Sequence, residues 1–136
     1  MTGVVMKLQS YFETTDGFGV LSTADGKGNV DAAVYAKPHV IDDGRIAFIM
    51  RERLTHHNIQ QNDSACYLFR EEGGGYRGVR LYLTRVGEDQ DPELIEKMTR
   101  AWLSPEVDSA KGQKFIVYFR LEKILSLIGD GTPDIS

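Results

Sequence analysis

The chain has 136 residues, 41% of them hydrophobic and 26% charged, a formal net charge of −4 and one cysteine. Its length is that of one domain, residues 1–136, with enough chain to build its own core. The acidic balance excludes a general binder of nucleic acid or of anionic membranes, which would carry a basic face, and the lone Cys66 excludes an intrachain disulfide and any multi-cysteine metal site.

No apolar run approaches the ~20 residues of a membrane span. The first residues lack a signal-peptide core followed by a cleavage site, so a reducing cytoplasm is the expected compartment. In "TGVVMKLQSYFET", Val4, Val5, Leu8, Tyr11 and Phe12 fall at offsets 0, 1, 4, 7 and 8, one stripe of an amphipathic helix with Thr2 as its cap. Asp16-Gly17 ends it. "FGVLSTAD", the turn "GKGN" and "VDAAVYA" then read as a β-hairpin.

The turn "DDG" at Asp42 to Gly44 precedes "RIAFIM", a strand apolar on both faces and so expected to be central or barrel-forming. "LTHHNIQQN" is a helix too short to stand without packing. "SACYLF" is a strand in which Cys66 is expected to be buried. "EEGGG" is a turn and "YRGVRLYLTRV" a long strand. In "DPELIEKMTRAWL", Asp91 caps a helix with Pro92 at its first position and Leu94, Ile95, Met98, Ala101 and Trp102 on one stripe. "KFIVYFRLEKILSLI" reads as a long last strand, bent or bulged around Glu122-Lys123.

Short turns between successive strands point to an antiparallel meander rather than to parallel crossover units. The fold class is mainly β (α+β): a six-stranded antiparallel split β-barrel, closed or split at one side, with three flanking helices plugging its ends.

"GGGYRG", Gly73 to Gly78, has the spacing of a dinucleotide fingerprint. That fingerprint needs a helix after it, whereas "VRLYLTRV" follows, and a hairpin turn accounts for the glycines better. His56 and His57 are adjacent, so on a helix they point about 100° apart and cannot share one metal ion as an i, i+4 pair would. No nucleophile-elbow motif is present.

"RERLTHHNIQQN" fits an anion site. A short helix opening near Thr55 has unpaired N–H groups at its start. Thr55 can donate its hydroxyl or cap the helix. Arg53 brings a forked donor suited to phosphate, with Arg51 a second candidate, and His56 or His57 can add a ring N–H. On these residues alone, an ordinary polar turn with a helix cap is the competing reading.

The order of elements, the turn "DDG", the strand "RIAFIM" and then "RLTHHNIQQN" together resemble the pyridoxamine 5'-phosphate oxidase-like flavin-binding split barrels, over roughly Tyr11 to Leu121. The resemblance implies FMN at a homodimer interface, with its phosphate at the start of the short helix. By position, Arg53, Thr55 and His56 or His57 would hold that phosphate and Asn58 would close the turn. The ring edge would meet the backbone of Asp31, Ala32, Ala33 and Val34 on one strand and of Ile49, Met50 and Arg51 on another. Trp102 and Tyr118 would give aromatic contact from the partner subunit, or pack in the core. The apolar last strand, with "FIVYF" and "ILSLI", offers surface for that homodimer.

Two departures bear on activity. Leu54 stands where many relatives have lysine, and "RLEK" (Arg120 to Lys123) lacks the proline that ends true pyridoxamine phosphate oxidases. The implied protein is an FMN-dependent oxidoreductase with a different substrate. The rival is a non-catalytic flavin or haem module, with His39, His56 or His57 as an axial ligand; a deazaflavin in place of FMN is a further variant.

Overall fold

The computed structural model describes residues 3–99 and 113–135. In chain order these form α1 (Gly3–Thr14), β1 (Gly17–Ala24), β2 (Val30–Val34), β3 (His39–Val40), β4 (Ile46–Arg51), α2 (Leu54–Gln61), β5 (Ser64–Glu71), β6 (Gly78–Asp89), α3 (Pro92–Thr99) and β7 (Lys114–Ser126). The expected Thr2 cap, Ala101 and Trp102 lie outside the described residues.

One antiparallel sheet carries seven strands in the order β2-β1-β5-β6-β7-β4-β3. This corrects the expected six, because the two-residue strand His39–Val40 is too short to leave a periodic signal. It also corrects the simple meander. β5, β6 and β7 do run as one, but β4 pairs with β7, far along the chain, and not with β2.

β2 and β3 are therefore the two edges, and the sheet curls until its ends approach. Tyr35, just past β2, meets Phe48 of β4 edge to face at 5.9 Å. Tyr67 on β5 donates its hydroxyl to the Tyr35 carbonyl at 3.1 Å. The barrel nearly closes but stays split between β2 and β4.

Alternation makes the inside. Leu21 of β1, Tyr67 and Phe69 of β5, Val79 and Leu81 of β6, and Phe119 of β7 are fully buried, joined by Leu8 and Phe12 of α1. β4, expected to be central or barrel-forming, lies between β7 and the short edge strand β3 and is covered on both faces. Ile46, Phe48 and Met50 enter this main core, while Ala47 joins Ile95 and Met98 of α3 and Ile116 of β7 in a smaller second cluster.

The caps follow the sequence closely at α3, where Asp91 Oδ1 accepts the Glu93 N–H at 3.0 Å. The last strand is bulged where expected: Tyr82 pairs with Lys123 and Leu83 with Leu121, which leaves Glu122 as the extra residue. Gly73, Gly74 and Gly75 all have positive φ and turn the β5–β6 hairpin, so "GGGYRG" leads into a strand.

α2 closes one end of the barrel. Ile59 is fully buried, and Asn58 donates its side-chain amide to Thr23 Oγ1 of β1 at 3.0 Å. At its far end Gln61 Oε1 accepts the Gly26 N–H, tying the helix to the β1–β2 turn. None of the described helices is long and apolar enough to cross a membrane.

Candidate functional site

The split in the barrel is a cleft of about 440 Å³. One wall is β2 and the residues after it: Asp31, Ala33, Val34, Tyr35 and Ala36. The other is Phe48, Ile49 and Arg51 of β4, with Lys114 beside them at the start of β7. Arg53, Leu54 and Thr55 close one end, where α2 begins. Among the described residues no strand pairs with the outer edge of β2, and β3 covers β4 only at Ile46 and Ala47. Both walls therefore present open main-chain donors and acceptors to the cleft.

Arg53, not Thr55, is the N-cap, and no side chain caps the helix. The first intrahelical bond runs from the His57 N–H to the Arg53 carbonyl at 2.9 Å. The N–H groups of residues 54–56 precede it and add the positive end of the helix dipole to the cleft. Thr55 is buried, and its side chain shares a hydrogen bond with the Tyr35 hydroxyl across the split. Burial raises the Tyr35 phenol above its ordinary range, with Thr55 and the Arg53 guanidinium opposing and Asp31 adding to the rise.

Of the residues expected from the sequence, the cleft brings together Asp31, Ala33, Val34, Ile49, Arg51, Arg53 and Thr55. Ala32 sits on the outer face of β2 and Met50 points into the core, since neighbours on a strand alternate. Only their main chain belongs to the split. Asn58 is turned inward to Thr23 and His57 is exposed.

The His56 ring lies away from the cleft, stacked on Phe115 at 4.0 Å, with Nε2 at 3.1 Å from Glu88 Oε2. Gln60 and Arg85 donate to the other oxygen of that carboxylate. Tyr118 belongs to the second cluster, with the Arg45 guanidinium 4.2 Å above its ring. His39 borders a separate hollow beside α1 with Gln9 and Lys37. Among the described residues no histidine lines the cleft. Among the described residues no three His, Cys, Asp or Glu side chains are grouped to hold a metal ion.

Tyr35 and Lys114 are the polar lining residues missed from the sequence, and Ala36 and Phe48 were missed beside them. Alternation within "VDAAVYA" puts Tyr35 on the face of Asp31 and Ala33, a signal that was there to use. Lys114 had none, because its place depends on β7 lying next to β4.

No protein-family model matches the chain, and no curated protein matches it in sequence. Solved structures do match in shape. An FMN-binding protein from Syntrophomonas wolfei superposes with a TM-score of 0.73 at 20% identity, over 93% of this chain and 87% of that one. An F420 reductase gives 0.65 at 16% identity, over 91% and 97%.

The fold is that of the pyridoxamine 5'-phosphate oxidase-like split barrels. A candidate pyridoxamine 5'-phosphate oxidase from Lactobacillus delbrueckii has the same split barrel, with a TM-score of 0.61 at 15% identity, over 92% of this chain and 93% of that one. At these identities the likeness carries the split barrel itself and not its ligand.

Proposed function

We propose that the chain binds flavin mononucleotide in the cleft of its split barrel and works, as a homodimer, as a small flavin-dependent oxidoreductase. One observation carries this reading: an uncapped helix start opens into a cleft whose two long walls are free strand edges. The residues present suit the group. Arg53, the Thr55 hydroxyl and the N–H groups of residues 54–56 make a donor set for a phosphate. Ala33 leaves room for a planar ring to approach the β2 main chain, whose donors and acceptors suit the polar rim of such a ring.

Leu54 is 58% exposed at the cleft and brings no charge where many relatives have lysine, so Arg53 carries the side-chain charge of the phosphate grip. When bound, the flavin supplies the electron transfer, and the protein orients and tunes it.

Two surfaces support the homodimer. In the last strand Phe115, Ile116, Val117 and Phe119 are buried within the chain, but Ile128, which ends "ILSLI", is 61% exposed. Val30 and Val34 of β2 are 83% and 68% exposed. They share the outer sheet face with Ala32, with Val20 of β1, the cross-strand partner of Val34, and with Leu68 of β5, the partner of Val20. In the dimer this face receives a second copy, and Tyr118 of the partner subunit is offered to the flavin.

The test is reconstitution. Purified protein mixed with excess FMN and desalted should keep the visible flavin absorption, and ligand at a hundred times Kd should stabilise it by about 2.7 kcal/mol. A protein that stays colourless and gains no stability defeats the proposal. A parallel arm with a deazaflavin distinguishes the two ring systems, which share the phosphate.

A further inference from the structure

Tyr35 is held from three directions before its hydroxyl meets anything. Its N–H donates to the Gly19 carbonyl at 3.0 Å, its own carbonyl accepts the Tyr67 hydroxyl at 3.1 Å, and its ring meets Phe48 edge to face at 5.9 Å. The phenol is thereby aimed at the start of α2, where it is hydrogen-bonded to the buried Thr55 side chain. Both residues line the cleft, as does Arg53. Burial raises the phenol above its ordinary range; the Thr55 bond and the Arg53 guanidinium pull it down, Asp31 pushes it up, and burial prevails. At neutral pH Tyr35 therefore keeps a proton to give.

We propose that Tyr35 is a positioning residue for anion binding: it donates its hydroxyl proton to Thr55 Oγ1 and so leaves the Thr55 proton to point at an oxyanion in the cleft. This rests on reading that end of the cleft as a phosphate site, and it adds how the site tells a phosphate from an alcohol. A hydroxyl has one proton and two lone pairs, so a bond between two hydroxyls can run either way. An anion beside Thr55 fixes the order. In the resulting chain of Tyr35, Thr55 and anion, each bond polarises the next. The last bond is charge-assisted when the acceptor is an oxyanion and ordinary when it is an alcohol. Without the phenol, the Thr55 proton can turn to a backbone carbonyl, as threonines in helices do.

The test compares the affinities of the full chain for FMN and for riboflavin in wild type, Tyr35→Phe, Thr55→Val and the double variant. Tyr35→Phe should weaken FMN about fivefold and barely change riboflavin, because the ring keeps its packing on Phe48. On the Thr55→Val background, Tyr35→Phe should cost FMN nothing further. Thr55→Ser, which keeps the hydroxyl, should keep the preference for FMN. A phenol that only held the two walls together would weaken both flavins alike.

An equal loss for both flavins, or no loss for either, overturns the relay. So does an undiminished loss on the Thr55→Val background. If wild type binds neither flavin, the nucleotide reading fails and inorganic phosphate tests the relay by itself. A thermal shift in wild type that Tyr35→Phe reduces then upholds it as an oxyanion-orienting pair, while an equal shift in both proteins, or none in wild type, overturns it. Should Tyr35→Phe not fold, the carbon NMR resonance of Tyr35 Cζ in wild type decides the matter. It should move on adding inorganic phosphate and not on adding chloride at matched ionic strength, and a resonance that phosphate leaves in place defeats the relay.

Discussion

The side chain of Thr55, in the first turn of α2, is hydrogen-bonded to the hydroxyl of Tyr35, just beyond β2. That bond bridges the two sides of the split where sheet hydrogen bonding stops. It holds the helix start at a fixed place relative to the opposite wall. A double-mutant cycle on Thr55→Val and Tyr35→Phe should give a coupling of about 0.5–1.5 kcal/mol in urea unfolding. Strictly additive losses would mean that the bond does not tie the two walls.

Gly19 is needed for the same wall. A Cβ there would strike the Tyr67 hydroxyl and come within 2.7 Å of the Tyr35 carbonyl, the two groups that bond each other. Both atoms are held by packing, so neither can give cheaply. Gly19→Ala should cost about 1–3 kcal/mol in chemical denaturation and loosen the cleft, whereas Gly87→Ala, where a Cβ meets nothing within 4 Å, should be close to neutral. Equal effects at the two sites would mean that close packing at Gly19 is not what requires a glycine.

Glu88 sets a pH dependence behind α2. Burial alone would push its carboxyl up, but hydrogen bonds from Arg85, Gln60 and His56 outweigh burial and hold it below the usual glutamate range. A depressed folded-state value means stability that is present above the unfolded value, about 4.3–4.5, and lost as pH falls through the folded one. Glu88→Gln should therefore lower Tm at neutral pH and flatten its fall below pH ~4.5. An acid limb as steep as that of wild type would show that Glu88 does not set it.

The exposed valines of β2 give a prediction about assembly. Val34→Lys places a charge in the middle of the outer apolar face. If a second copy covers that face, sedimentation should show the protein shifting to monomer at concentrations where wild type is dimeric. A wild-type chain that sediments as a monomer refutes the dimer outright.

Much of this was legible in the sequence, and the gaps have physical causes. Alternation and turn chemistry are local, so the β1–β2 hairpin, the α3 cap at Asp91 and the bulge at Glu122 could be read directly. The pairing of β4 with β7 is a contact between residues some seventy positions apart, which no local pattern encodes. It decides both the split and the place of Lys114. Reading strands as whole segments also blurred their two faces, so that Ala32 was grouped with Ala33 and Met50 with Ile49. The "FIVYF" half of the last strand looked like surplus surface because its partners on α3 and β4 were not yet known.

The phosphate grip at the start of α2 is best tested by calorimetric titration of FMN and of riboflavin, which lacks the phosphate, into wild type and Arg53→Gln. Wild type should bind FMN about a hundredfold more tightly than riboflavin, the worth of about 2–3 kcal/mol in charge-assisted hydrogen bonds. Arg53→Gln should lose about tenfold toward FMN and little toward riboflavin. Equal affinity for the two flavins in wild type, or an equal loss for both in Arg53→Gln, would contradict a phosphate held there.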